Sequence, residues 1–381
     1  MRHACDLRLP EIRPCPDAEA FGTDFICNGL LQLPFHDPQP PSHGHSMDPA
    51  KLCPYWPATT CAGPAACGLR PQNIEVDKAW GNTYPCTLRG WLFPPTGIIA
   101  SPTGYIAATS LPPACLSCAR KMTNEGATGA EDKKTLIIMS HGACRDRRAW
   151  LRHTPFLLKA GYTCLSFDYS DHGTSDMTDG ITAARGTTLG LRESRDVARV
   201  VRYAREHFTA YDLVLMGTST GSVSSFIALA TDEFVRDHTK CLVAECPFAS
   251  IAAITWDSVM NVVCLGMLCK NNRLVFLAAW PVFFVVTSLV VVKTCLRLAG
   301  EGYFTTISCA QAARTCTTPT LLLHGMQDSI VPSKHSESIA EGAECIKDIW
   351  FVPGAGHCQV WDTNPLEFER RTLSFLAQFC G

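Results

Sequence analysis

The chain has 381 residues, enough for one large domain with decorations or two modest ones, and a single core with additions fits best. Its 33 basic and 35 acidic residues give a formal net charge of −2, with no basic excess to concentrate a phosphate backbone, so nucleic acid is not an expected partner. The opening MRHACDLRLPEIRPCPDAEA carries charges and prolines throughout and no apolar run of signal-peptide length, which predicts a cytoplasmic protein whose 21 cysteines are reduced thiols.

Residues 1–71 hold 12 of the 25 prolines and show neither helical nor strand periodicity, which predicts an irregular Pro/Cys-rich extension. Order is expected to begin near Asn73, where NIEVDKAWG and TLRGWLFPP read as two strands joined by a turn at Gly81 and Asn82. The first part of a core, 72–250, then carries a surface insertion over 94–134, rich in Gly, Pro, Ser and Thr. Inside it Cys115 and Cys118 form the only C-x-x-C, and with no second pair at matching spacing they read as loop cysteines rather than a zinc site.

From Thr135 onward, short apolar runs alternate with helical stretches: TLIIMS, YTCLSF, LVLMG, CLVAE, TLLLHG and IWFV. Uninterrupted apolar strands are buried on both sides, so the pattern predicts an α/β fold, a mostly parallel central sheet with helices on both faces. Arg192 to His207 sets Val197, Val200, Val201 and Tyr203 to one side among charges, Ser333 to Glu344 leaves room for a helix, and Pro365 to Phe379 repeats Phe368, Leu373, Phe375 and Leu376.

Three loops carry chemistry. Gly217-Thr218-Ser219-Thr220-Gly221 follows the run LVLM and precedes SVSSFIALA, so Ser219 sits at a sharp strand-to-helix turn that pushes its hydroxyl outward while Gly217 and Gly221 let strand and helix approach. A hydroxyl at its free pKa is a poor nucleophile; it needs a base, and the base needs an orienting carboxylate. Asp328, in HGMQDSIVP beyond TLLL, and His357, in VPGAGHCQVW beyond IWFV, supply the acid and the base in the order this type of site uses. The developing oxyanion needs aimed main-chain donors, and the amides of Ala143, at the end of TLIIMS, and Thr220, after the nucleophile, occupy the expected places. Glu245 also ends a buried strand and is the rival acid, while His172 precedes Ser219 in the chain and reads as a turn residue. Arg145 to Arg148 read as a solvated helix start, with an anion-recognising mouth as the minority reading.

Residues 72–93 and 135–380 resemble the α/β-hydrolase superfamily, in the branch of monoglyceride-lipase-like, acyl-protein-thioesterase-like and serine-aminopeptidase-like enzymes. The resemblance is carried by SHGA at 140–143, FDYSDHGTSD at 167–176, GTSTG at 217–221, ECPFAS at 245–250, TPTLLLHGMQDSIVP at 318–332 and VPGAGH at 352–357. It implies the α/β-hydrolase fold and a Ser-His-Asp hydrolase that uses no metal or organic cofactor.

The departure is 251–300, where a lid would sit before the core resumes over 301–381. Leu274 to Val292 is a run of 19 uncharged residues between Arg273 and Lys293, long enough to be a transmembrane candidate. A single crossing would part Ser219 from Asp328 and His357 by about 30 Å of hydrocarbon, so the run reads instead as an apolar lid broken near Pro281, or as half of a membrane-entering hairpin with 251–269. Asp257, Lys270 and Arg273 interrupt such a hairpin, and the lid is preferred. Either reading predicts an apolar mouth, a small-molecule or lipid acyl substrate, and peripheral membrane contact through 251–292 if the hairpin forms. Carboxylester or lipid-ester cleavage is the first expectation, ahead of protein deacylation and peptidase activity, with a non-catalytic membrane-tethered scaffold as the reading from another class.

Overall fold

Alternation along the apolar runs builds two cores on one sheet. In β3 (Thr135–Ser140) Leu136 and Ile138 face one cluster and Ile137 and Met139 the other; in β5 (Asp212–Thr218) Leu213 and Leu215 oppose Val214 and Met216. The same division holds in β6 (Thr239–Glu245), where Leu242 and Ala244 oppose Cys241 and Val243, and in β7 (Thr320–Gly325), where Leu322 opposes Leu321 and Leu323. With β1 (Gln72–Val76), β2 (Leu88–Phe93), β4 (Thr163–Phe167) and β8 (Ile346–Val352) they form an eight-stranded sheet in the order β1-β2-β4-β3-β5-β6-β7-β8. Pairing is antiparallel for β1 with β2 and β2 with β4, and parallel everywhere else. The computed structural model describes residues 69, 71–76, 86–95, 133–143, 145–176, 187–258 and 307–380.

Helices cover both faces. On one side α2 (Leu191–His207) presents Val197, Val200, Val201 and Ala204, an i, i+3, i+4, i+7 stripe, beside Phe226 and Ile227 of α3 (Thr220–Thr231) and Ala312 of α5 (Cys309–Thr315). On the other, α1 (Thr154–Lys159) contributes Leu157 and Leu158, and α7 (Val360–Thr363) and α8 (Pro365–Phe379) contribute Trp361, Phe368 and Phe375. The short α4 (Glu233–His238) is capped by Asp232, whose carboxylate accepts the Val235 amide at 3.3 Å. The helix expected over Ser333 to Glu344 is shorter, α6 (Lys334–Ala340): Glu341 leaves the helix at ψ 110°, and Gly342 follows at φ +71°, where a side chain would be strained.

The strands read at 72–93 pair as expected, their turn lying outside the described residues. Also outside the described residues lie most of the 1–71 extension, the body of the 94–134 insertion with Cys115 and Cys118, residues 259–300 of the lid segment, and 301–306 of the second core part. Leu69 is described and is 1% exposed, packed into the cluster of Phe93 and Trp150. Residues 251–258 are helical, and Asp257 there receives Lys334 Nζ at 2.7 Å and His335 Nε2 at 2.9 Å, which fastens the stretch to α6. Among the described residues no helix is long and apolar enough to cross a membrane, and the run Leu274 to Val292 lies outside them.

Candidate active site

The chain passes from β3 to β4 on one side and later to β5 on the other, so the strand order reverses at β3 and a crevice opens at the carboxyl ends of β3 and β5. Ser219 stands there, between β5 and α3, at φ 55° and ψ −119°. Gly217 and Gly221, two residues to either side, are packed too closely to carry side chains. A Cβ on Gly217 would lie 2.5 Å from the Gly221 carbonyl carbon and the Ser222 nitrogen, and a Cβ on Gly221 would run into the Ser140 carbonyl of β3. Glycines at both places therefore let α3 leave the sheet at a sharp angle, and the Ser219 amide is tied back to the Glu245 carbonyl at 2.8 Å.

Asp328 and His357 come to the same edge from the loops after β7 and β8. Asp328 Oδ2 faces His357 Nδ1 at 2.6 Å, and Ser219 Oγ lies 3.1 Å from His357 Nε2. A carboxylate can only accept, so Nδ1 carries the ring proton and Nε2 presents a lone pair to the Ser219 hydroxyl. The other carboxylate oxygen of Asp328 accepts the amides of Ile330 at 2.9 Å and Val331 at 2.8 Å, which fixes the rotamer. Burial opposes ionisation of Asp328, but His357, His324 and these amides outweigh it and hold the acid well below the usual carboxylate range. Burial likewise opposes a charge on His357, yet Asp328 and Cys358 beside it push the imidazole well above its usual value.

His141 prepares the other wall. The Tyr169 amide donates to His141 Nε2 at 3.3 Å, so Nδ1 bears the proton and donates to the Gly142 carbonyl at 2.8 Å. Burial, with His172 nearby, lowers His141 to about 3, and the ring stays neutral in that tautomer. The Gly142–Ala143 peptide is planar and trans, so holding its carbonyl toward His141 turns the Ala143 N–H the opposite way. Gly142 sits against Ser219: a Cβ there would be 3.2 Å from Ser219 Cβ. Ala143 is half-buried, and Thr220 is the first residue of α3, where amides have no intrahelical partner.

The other residues singled out in the sequence have separate duties. Glu245 makes no hydrogen bond to His357; its Oε1 accepts the Val360 amide at 3.1 Å. His172 is buried with Nδ1 3.0 Å from the Ser170 carbonyl, a turn contact. Arg147 is spent inside the protein, on Asp168 Oδ2 at 3.0 Å and over the Trp91 ring at 4.4 Å, and Arg148 Nε pairs with Asp146 at 2.9 Å. Both open the 3-10 turn Arg147–Trp150 behind the Asp146 cap, the helix start expected, but half-buried and paired rather than fully solvated. Cys246, His324 and Asp328 bring ligand-type atoms within 4.8 Å of one another, but both His324 nitrogens are engaged, with Ser336 Oγ at 2.6 Å and the Val331 carbonyl at 2.7 Å. Their lone pairs and protons serve the acid loop. Sequence reasoning placed His141 in SHGA at the first oxyanion donor but gave its ring no role, and it missed the link from Asp257 to α6, for which no local signal exists.

Residues 131–364 match the family model described as serine aminopeptidase, S33. The uncharacterized protein YfhR of Escherichia coli O157:H7 is 21% identical over 248 residues, 65% of this chain and 72% of its own. Among solved structures, the Pyrococcus furiosus esterase Pf2001 superposes with a TM-score of 0.53 at 17% identity, covering 84% of this chain and 96% of its own. The α/β hydrolase GrgF from Penicillium sp. sh18 does so with a TM-score of 0.50 at 17% identity, covering 82% and 99%. At these identities the superpositions speak for the fold, and the family model covers more than half of the chain. The chain belongs to the serine aminopeptidase S33 family and is a hydrolase of the α/β-hydrolase superfamily.

Proposed function

We propose that the protein is a serine hydrolase that cleaves an ester, thioester or amide through an acyl-Ser219 intermediate. The observation that carries this is the unbroken hydrogen-bonded chain from Asp328 through His357 Nδ1 and Nε2 to Ser219 Oγ. In this reading His357 removes the Ser219 proton as the hydroxyl attacks the carbonyl carbon, then returns it to the leaving group. Asp328 holds the ring and stabilises the imidazolium. The Ala143 and Thr220 amides bind the oxyanion of the tetrahedral intermediate, a role worth about 3–4 kcal/mol per donor in comparable sites. Water, activated by the same imidazole, then releases the acyl group. The reaction as drawn needs no cofactor.

Carboxylester or lipid-like acyl substrates rank first, because residues 251–292 are apolar enough to line a hydrophobic mouth or touch a lipid surface. An aminoacyl amide is the second reading, favoured by the family's description. Turnover of p-nitrophenyl esters of graded acyl length should rise toward longer chains and vanish in Ser219→Ala. Faster cleavage of an aminoacyl anilide would move the assignment to a peptidase. Folded protein that turns over neither, nor an acyl thioester, would favour a non-catalytic scaffold.

A further inference from the structure

Glu245 ends β6 in register with Thr218 of β5, one residue before Ser219, and is 2% exposed. Its main chain and its side chain both hold the site together. The carbonyl accepts the Ser219 amide at 2.8 Å and the Ser222 hydroxyl at 2.9 Å. The side chain accepts the Thr218 hydroxyl at 3.4 Å on one oxygen and, on the other, the Val360 amide at 3.1 Å. Val360 is the first residue of α7 and lies three residues after His357, so this amide has no helical partner and would be orphaned in the interior without Glu245.

We propose that Glu245 is a positioning residue whose carboxyl group bridges the Ser219 turn and the His357 loop and thereby sets the approach of hydroxyl to imidazole. The proposal rests on the assignment of Ser219 and His357 above. Displacement of a reacting group by about 1 Å can cost on the order of 100-fold in rate, so a brace spanning two independent loops has kinetic leverage.

The surroundings supply a signature that a merely structural glutamate would lack. Arg152, from the segment after the 3-10 turn Arg147–Trp150, reaches the Cys358 carbonyl at 2.7 Å and Asp362 of α7 at 2.8 Å; Arg152, Asp362, Cys358 and Cys246 all act electrostatically on Glu245. Burial, assisted by Cys358 and opposed by Arg152 and the Val360 amide, pushes the Glu245 carboxyl up to about 8. In its neutral form the carboxyl keeps Oε1 as acceptor for the Val360 amide and turns the Oε2 hydroxyl toward Thr218, as a glutamine would turn its NH2; ionised, it places a negative charge behind the nucleophile turn, where it disfavours the developing oxyanion.

The test compares wild type, Glu245→Ala and Glu245→Gln in the full chain, following fluorophosphonate labelling and steady-state hydrolysis of a p-nitrophenyl ester across neutral and alkaline pH. Glu245→Ala should slow labelling and lower kcat by roughly 10- to 100-fold with KM within about twofold. Glu245→Gln should recover to within about threefold of wild type at neutral pH and lose the alkaline decline that wild type shows near pH 8. A folded Glu245→Ala enzyme with wild-type labelling, or a Glu245→Gln enzyme that keeps the decline, would overturn the proposal. If Glu245→Ala does not fold, the pH profile of Glu245→Gln decides alone. Wild type that labels no faster than Ser219→Ala overturns the nucleophile assignment, and this inference with it; normal Ser219 labelling with inert Glu245 variants overturns this inference only.

Discussion

At φ 55° and ψ −119° Ser219 holds a backbone conformation that costs a residue bearing a Cβ about 1–3 kcal/mol, and the surrounding chain keeps it there. The expense makes sense if the hydroxyl must meet His357, and His357 meets it in one tautomer only because Asp328 claims its Nδ1 proton. Asp328→Asn should therefore lower kcat by about 10⁴-fold while leaving the far-ultraviolet dichroism unchanged, since the amide favours the wrong tautomer. The wild-type rate should climb with pH as His357 loses its proton, with an apparent pKa above the usual histidine value. Ser219, Asp328 and His357 were legible in the sequence because the chemistry demands those side chains in loops after buried strands. Glu245 was legible only as a rival acid: its bracing role depends on the β5–β6 register and on an amide 115 positions away, and neither leaves a mark on local pattern.

Among the elements, the strand-turn-helix of β5 and α3 has the tightest steric definition. Gly221→Ala would drive a methyl group into the Ser140 and His141 carbonyls, separating α3 from β3. It should lower stability by about 2–3 kcal/mol, read as a lower urea midpoint at unchanged m, and a shift under about 0.5 kcal/mol would show that the helix can tilt away freely. Strands β3 to β7 were legible because each is a short apolar run buried on both faces, and β8, a half-exposed edge strand, was legible from its apolar IWFV. Helix α8 was legible to the residue, since Asn364 accepts the Glu367 amide at 3.4 Å and Pro365 opens the first turn. Helix α6 was overextended because the left-handed turn at Gly342, which ends it, looks in the sequence like a tolerable glycine.

For the whole molecule, five parallel strands deliver the candidate groups to one edge: β3 brings Gly142 and Ala143, β5 Ser219, β6 Glu245, β7 Asp328 and β8 His357. Sequence patterning implied a parallel sheet, and the motif resemblance implied its family, but the reversal of order at β3 is a long-range property that no local window contains. The limit of the core on its amino-terminal side is also a matter of packing: Leu69, 1% exposed, belongs to the cluster of Phe93 and Trp150. Deleting residues 1–60 should leave hydrolase turnover and melting temperature intact, whereas deletion through residue 71 removes Leu69 and should cost about 2–4 kcal/mol. The most direct test of the account is to treat the folded protein with a fluorophosphonate and map the adduct by peptide mass spectrometry. The account predicts one phosphonyl group per chain, on Ser219, absent from Ser219→Ala; a stoichiometric adduct on any other residue, or none at all, would contradict it.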